Sequence, residues 1–156
     1  MTLDLAAAAR HADELSAQAR AELVRAVRLA AARGMTQREI AREIGRSQPE
    51  VSRLLRFHGT SPLARSLRRN ADQIRRIVAA SGGSRVRVFG SVATGQDGPD
   101  SDVDLVFVMN EPLSLTQLGR LEQRISELLS VPVDLVPEAA IRPDLRERVM
   151  SEAVAL

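Results

Sequence analysis

The residues best suited to chemistry are concentrated in Val86 to Val108, VRVFGSVATGQDGPDSDVDLVFV. An apolar run ends in Gly90-Ser91, ten residues intervene, and Asp102 and Asp104 then sit inside a second apolar run. In a strand, side chains two residues apart share a face. Asp102 and Asp104 would therefore project together, with Val103 and Leu105 pointing the other way. Two carboxylates on one strand edge suit a hard cation, since Mg²⁺ takes oxygen ligands and is commonly held by one or two carboxylates plus substrate phosphates. Gly90-Ser91 supplies a backbone without a Cβ and a small hydroxyl, which lets main-chain N–H groups approach phosphates.

Taken singly, an Asp-x-Asp is more often a solvated strand end, and Gly-Ser is more often an ordinary loop. Here the acids interrupt an apolar strand, where two like charges are costly unless compensated. The two signals also occur together, between two strand-like runs. Asp97 and Asp100 lie among glycines and read as turn residues, and Ser101 reads as a loop cap.

The elements that must position these residues follow from the punctuation of the chain. Pro62 fits the first position of a helix with Ser61 as its N-cap, running to about Ser81. Gly82-Gly83 turns the chain into a strand over Val86–Phe89, and a second strand covers Val103–Met109. Ser114-Leu-Thr-Gln117 is a capping box for a helix to about Leu129. Val131–Val136 forms a third strand and Pro143 starts a closing helix. The order is helix, strand, strand, helix, strand, helix, an α+β layer with helices on one face of the sheet.

Gly90-Ser91, ten residues, then Asp102-Val103-Asp104 resembles the signature of the nucleotidyltransferase superfamily that includes DNA polymerase beta, in particular the minimal nucleotidyltransferases. That family has a third carboxylate on a later strand, which Asp134 matches in Val131-Pro132-Val133-Asp134-Leu135-Val136. The resemblance spans about Arg65 to Leu156, including the closing segment from Leu145. It implies Mg²⁺-dependent transfer of a nucleoside monophosphate, AMP from ATP, to a hydroxyl. Asp102 and Asp104 would ligate two Mg²⁺ ions, Asp134 would ligate the acceptor-side ion and help deprotonate the hydroxyl, and Gly90 and Ser91 would hold the β- and γ-phosphates. Thr94 departs from the family, which often carries a basic residue in that region; weaker triphosphate binding or altered nucleotide choice would follow.

In larger members of the superfamily further domains grip the acceptor, and none is expected after Leu156, which favours a macromolecular acceptor. Minimal nucleotidyltransferases of this kind act as antitoxins that add AMP to a tyrosine of a HEPN-family ribonuclease toxin. The resemblance therefore implies a protein adenylyltransferase whose partner is a HEPN-type toxin. Two other classes compete: a DNA-binding repressor with an inactive transferase-like domain, and a small-molecule transferase of the aminoglycoside-modifying type. A deep acceptor cleft would favour the latter, and an open site a protein acceptor.

The N-terminal part carries a different signature. All 22 basic residues are Arg, which excludes a lysine nucleophile. Residues 1–88 hold 17 Arg against 8 acids (+9), and residues 89–156 hold 5 Arg against 12 acids (−7). This asymmetry suggests a polyanion-binding module joined to a metal-using one. A helical pattern over 3–33, with a break near Leu15, ends at Gly34. Thr36-Gln-Arg-Glu39 and Ser47-Gln-Pro-Glu50 are two capping boxes, opening helices that end at Gly45 and about Phe57. With Ile40, Ala41, Ile44, Val51, Leu54 and Leu55 inward, the pair resembles a helix-turn-helix, although Arg46 stands where an apolar residue is common. The second helix of such a module enters the major groove, which would present Gln48, Ser52, Arg53 and Arg56 to double-stranded operator DNA. Glu50 would either accept from cytosine or serve the cap.

His58 to Pro62 breaks the helical pattern, giving a helix-turn-helix domain over 1–59 and a transferase domain over 60–156. A paired half-site favours a homodimer. Three Phe and no Trp or Tyr leave little for base stacking. The absence of cysteine excludes disulfides and thiolate sites. No apolar run is long enough to cross a membrane, and the N-terminus does not resemble a secretory signal, so a cytoplasmic location is expected. His11 and His58 are isolated and read as structural or solvent-facing.

Overall fold

The computed structural model describes residues 4–57 and 59–156. The expectations for Leu3 and His58 lie outside the described residues. Helix α1 runs unbroken over Leu5–Ala32, with the Asp4 side chain accepting from the Ala7 N–H at 2.9 Å. The break expected near Leu15 does not occur. No Gly or Pro interrupts this stretch, and strong helix formers carry the pattern straight through. The first four turns are nearly all exposed, Leu5 and Leu15 included.

Helices α2 (Gln37–Ile44) and α3 (Gln48–Leu55) both begin with reciprocal capping boxes, at Thr36/Glu39 and Ser47/Glu50. Gly45 ends α2 in the left-handed region, φ +65°, a conformation glycine takes without steric cost. Ile40, Ala41, Val51 and Leu54 pack with Val27 of α1 into one small core. This arrangement is compatible with a helix-turn-helix.

A second core begins at Phe57 and includes Ala64 and Leu67 of α4 (Pro62–Arg69) and Ile74, Ile77 and Val78 of α5 (Ala71–Ala80). The single helix expected from Pro62 to Ser81 is two. Asn70 ends one and starts the next, its Nδ2 donating to the Ser66 carbonyl at 2.8 Å. An Asn side chain that bonds nearby backbone competes with helix continuation.

Strands β1 (Gly83–Phe89), β2 (Val103–Met109), β3 (Val133–Pro137) and β4 (Val154–Ala155) form one sheet in the order β3-β2-β1-β4. The β1–β2 and β1–β4 pairs are antiparallel and β2–β3 is parallel, so the fold is α+β with a mixed sheet. Strand β1 starts earlier than expected, because a bulge between Ser84 and Arg87 interrupts its apolar alternation there. Arg85 takes φ +53° at that bulge. Val86, Val88, Leu105 and Leu135 belong to the core that α5 and α7 (Leu115–Leu129) share.

The opposite face, carrying Arg87, Asp104 and Val106, is also partly covered. Arg87 pairs with Glu138 of a 3₁₀ turn (Glu138–Ala140) and reaches Met150 of α8 (Pro143–Glu152). The expectation of helices on one face alone is thus corrected. The closing segment likewise does not stay helical to its end: after Glu152 it adds β4 to the edge of β1. Two residues are too short to show a strand periodicity in the sequence. No helix among the described residues is long and apolar enough to cross a membrane.

Candidate active site

The sheet register decides which acids meet. Phe89 pairs with Asp104 across β1–β2, and Asp104 pairs with Asp134 across β2–β3. Paired residues share a face, so Asp104 and Asp134 lie side by side. Asp102 falls one residue before β2, on the exposed end of the connecting loop. Burial is the largest cause raising the Asp104 pKa to about 6, followed by Asp134, Asp102 and Glu152; Arg148 opposes them. The partly buried Asp104 is therefore the electrostatic centre of the group, while Asp102 and Asp134 are exposed. A Glu122 carboxylate oxygen of α7 accepts from the Leu135 N–H at 3.0 Å and steadies β3 beside Asp134.

The turn after β1 is built against this acid. Gly90 has φ +72°, and a Cβ there would stand 2.3 Å from Asp104 Oδ2. Gly90-Ser91 opens a short helix, α6 (Gly90–Thr94), that carries no side-chain N-cap. Thr94 folds its hydroxyl back, donating to the Gly90 carbonyl at 3.2 Å. The Gly90→Ala substitution is expected to destabilise the protein by about 2 kcal/mol and to displace the Asp104 carboxylate. A thermal melt equal to that of the parent protein would contradict this packing.

Two further residues complete the site, and sequence reasoning missed both. Glu152, buried at the end of α8, accepts from the Gly90 N–H at 3.1 Å through Oε2 and from Arg148 Nε at 3.4 Å through Oε1. Its carboxylate thus holds the turn in place, and Arg148 is the cation acting on Asp104. The signal available in the sequence was weak: an Arg and a Glu four apart on a helix, the commonest kind of surface pair.

Asp102, Asp104 and Asp134 offer hard oxygen donors, the chemistry that Mg²⁺ takes. Among the described residues no three acidic or imidazole side chains close into a ready-made metal cage. With Asp104 and Asp134 in register and Asp102 at the loop end before β2, the donor set is open, and the remaining ligands of a bound ion would come from substrate phosphates.

The N-terminal candidates are elsewhere. Gln48 is exposed, its amide donating to Gln37 Oε1 at 3.3 Å, and Ser52 is half-buried. Glu50 is committed to its capping box, accepting from the Ser47 N–H at 2.8 Å. Arg53 and Arg56 line a cleft between α1, α3 and α6.

The family model of the nucleotidyltransferase domain matches residues 71–156, which include all four strands of the sheet and Asp102, Asp104 and Asp134. The chain belongs to the nucleotidyltransferase domain family. It is 34% identical over 89 residues to a Methanocaldococcus jannaschii protein assigned provisionally, by its name, to the protein adenylyltransferases; the match covers 54% of this chain and 96% of that one. Protein adenylyltransferase MntA of Thermococcus cleftensis is 35% identical over 69 residues, 44% of this chain and 70% of the relative. A solved structure described provisionally as a minimal nucleotidyltransferase superposes with TM-score 0.55 at 39% identity, over 64% of this chain and all of its own. A crystal structure of a toxin-antitoxin with AMP-PNP superposes with TM-score 0.51 at 22% identity, over 55% of this chain and 71% of that one, a likeness of fold. The chain is a nucleotidyltransferase, and its similar curated relatives carry protein adenylyltransferase names.

Proposed function

We propose that this nucleotidyltransferase moves AMP from ATP to a hydroxyl of a partner protein. The observation that carries the reading is the register that sets Asp104 beside Asp134 with Gly90 packed on Asp104, in a chain similar to named protein adenylyltransferases. The exposure of Asp102 and Asp134 suits a broad acceptor surface better than a small molecule enclosed in a cleft.

Asp102 and Asp104 would hold two divalent ions, with Asp134 on the acceptor side. Bound there, the ions would brace the attacking and leaving oxygens of an in-line displacement. Ser91 and the amides that follow Gly90 in α6 would take the β- and γ-phosphates, while Glu152 holds the Gly90 N–H and keeps that turn against Asp104, and Arg148 lends positive charge. The acceptor oxygen bonds to the α-phosphorus, the bond to the β-phosphate bridging oxygen breaks, and pyrophosphate leaves. Asp134 takes the hydroxyl proton.

The partner proposed is a HEPN-type ribonuclease toxin modified on tyrosine, which makes this chain its antitoxin. Helix α3 would bind operator DNA through Gln48, Ser52, Arg53 and Arg56 for autoregulation, as a homodimer on paired half-sites.

The test is to incubate the full chain, magnesium and a HEPN-family protein as the candidate acceptor with ATP labelled at the α- or γ-phosphate. Label on the partner from α-ATP alone, lost on adding EDTA, is the expected result. Label from γ-ATP would mean phosphoryl transfer. Label found only on an added aminoglycoside would mean a small-molecule enzyme.

A further inference from the structure

The cleft that Arg53 and Arg56 enter is itself a candidate site. It encloses about 370 Å³ between the helical pair and the helix bearing Gly90-Ser91. Arg20 of α1 and Arg53 and Arg56 at the end of α3 line it, all three exposed and none in an ion pair among the described residues. A fourth arginine, Arg28, is buried at its base. Among the described residues no acidic side chain lines the cleft. Gly59, Thr60, Thr94 and Gly95 complete the wall.

We propose that this cleft binds the phosphate backbone of a nucleic acid, carrying the α3 contact through Arg53 and Arg56 onto α1 and α6, while Gln48 and Ser52 would face the bases. Guanidinium forks match phosphate oxygens in pairs, and small residues let a sugar-phosphate chain come close. An acidic protein segment fits less well, because protein interfaces are anchored by large apolar or aromatic side chains in pockets, and among the described residues Val24 and Leu54 are the only large apolar ones in the lining. The choice of nucleic acid over another polyanion rests on the DNA-binding reading of α3, with which the cleft is continuous. What is new is that α1 and α6 share the contact. A strand seated here touches Thr94 and Gly95, at the far end of the helix that begins with Gly90.

Arg20 tests the site without touching α3 or the aspartates. Binding of a fluorescein-labelled mixed-sequence duplex by the full chain would be followed by anisotropy from 50 to 200 mM salt. Loss of one phosphate contact removes about 0.9 from the slope of log K against log salt. Arg20→Gln is therefore expected to weaken binding about tenfold at 50 mM salt and about threefold at 200 mM, with AMP transfer unchanged. Affinity and slope equal to the parent would overturn the proposal. So would displacement of the duplex by polyglutamate as effectively as by a DNA strand of equal charge, which would mark an acidic protein as the occupant. Gln48→Ala separates the two readings. If it alters no sequence preference while Arg20→Gln still lowers affinity, base reading by α3 fails and the cleft stands; the reverse pattern sinks the cleft alone. Circular dichroism melts of both variants verify folding.

Discussion

Asp104→Asn is expected to abolish AMP transfer and yet raise the melting temperature at neutral pH. Asp104 is partly buried, in register with Asp134, and its pKa stands at about 6 rather than 3.8. The folded state therefore binds the proton more tightly than the unfolded chain does. By linkage, stability falls as pH rises from 3.8 through about 6 and stays lowered above that. Asn keeps the shape and removes the charge. Allowing for solvent around a partly exposed group, the gain is roughly 1–2 kcal/mol at pH 7, or about 2–8 °C for a chain of this size. At pH 4 the two proteins should melt together. Magnesium, if it binds this set of acids, should raise the melting temperature of the parent at pH 7 and not that of the variant. A variant less stable than its parent at pH 7 would show that the carboxylate holds the fold together, contrary to its place among like charges. Retained transfer would show that the chemistry lies elsewhere.

Arg28→Met is expected to do the reverse, damaging the fold first and the site through it. Arg28 is buried in α1, and its guanidinium donates to four backbone carbonyls: Leu54 at 3.3 Å, Arg56 at 3.3 Å, Ala93 at 3.0 Å and Glu152 at 3.0 Å. These carbonyls lie at the C-terminal ends of α3, α6 and α8, where last-turn oxygens lack helical partners and the dipole is negative. One cation thus ties the helical pair to the two helices that carry Gly90 and Glu152. Burial pulls its pKa down to about 10, with Glu152 opposing that shift, so the charge persists at pH 7. Met would fill much of the space and leave all four carbonyls without their donor. The expected cost is about 3–4 kcal/mol, a fall near 10 °C in melting temperature. Arg28→Lys should fall between, since an ammonium lacks the planar fork that reaches several acceptors at once. A Met variant melting within 2 °C of its parent would contradict this role. The salt link between Arg33 and Glu147, both exposed at 2.8 Å, joins α1 to α8 in the same region, but a surface pair contributes little.

Several features of this protein were legible in the residues themselves. Capping boxes at Thr36, Ser47 and Ser114 set three helix starts, because a hydroxyl and a carboxylate or amide three apart satisfy local N–H groups whatever the rest of the chain does. Gly90-Ser91 and the Asp-x-Asp were legible as motifs inside the span that the nucleotidyltransferase family model matches, whereas Asp102 proves to lie just before β2 and only Asp104 lies in the strand. Other features required the chain to be folded. The break at Asn70 and the continuity through Leu15 turned on whether a side chain captured nearby backbone, and the strand at Val154-Ala155 exists only because β1 offers it an edge.

The same holds, more strongly, for Arg28, Glu152 and the arginine cleft. In sequence Arg28 is one of 22 arginines and Glu152 one acid in an ordinary helical pattern. Residue type and spacing determine what a segment can do locally. Burial and long-range proximity decide which charge becomes a structural rivet, which carboxylate holds a turn, and which arginines are left facing an open cleft, and those are properties of the tertiary arrangement alone.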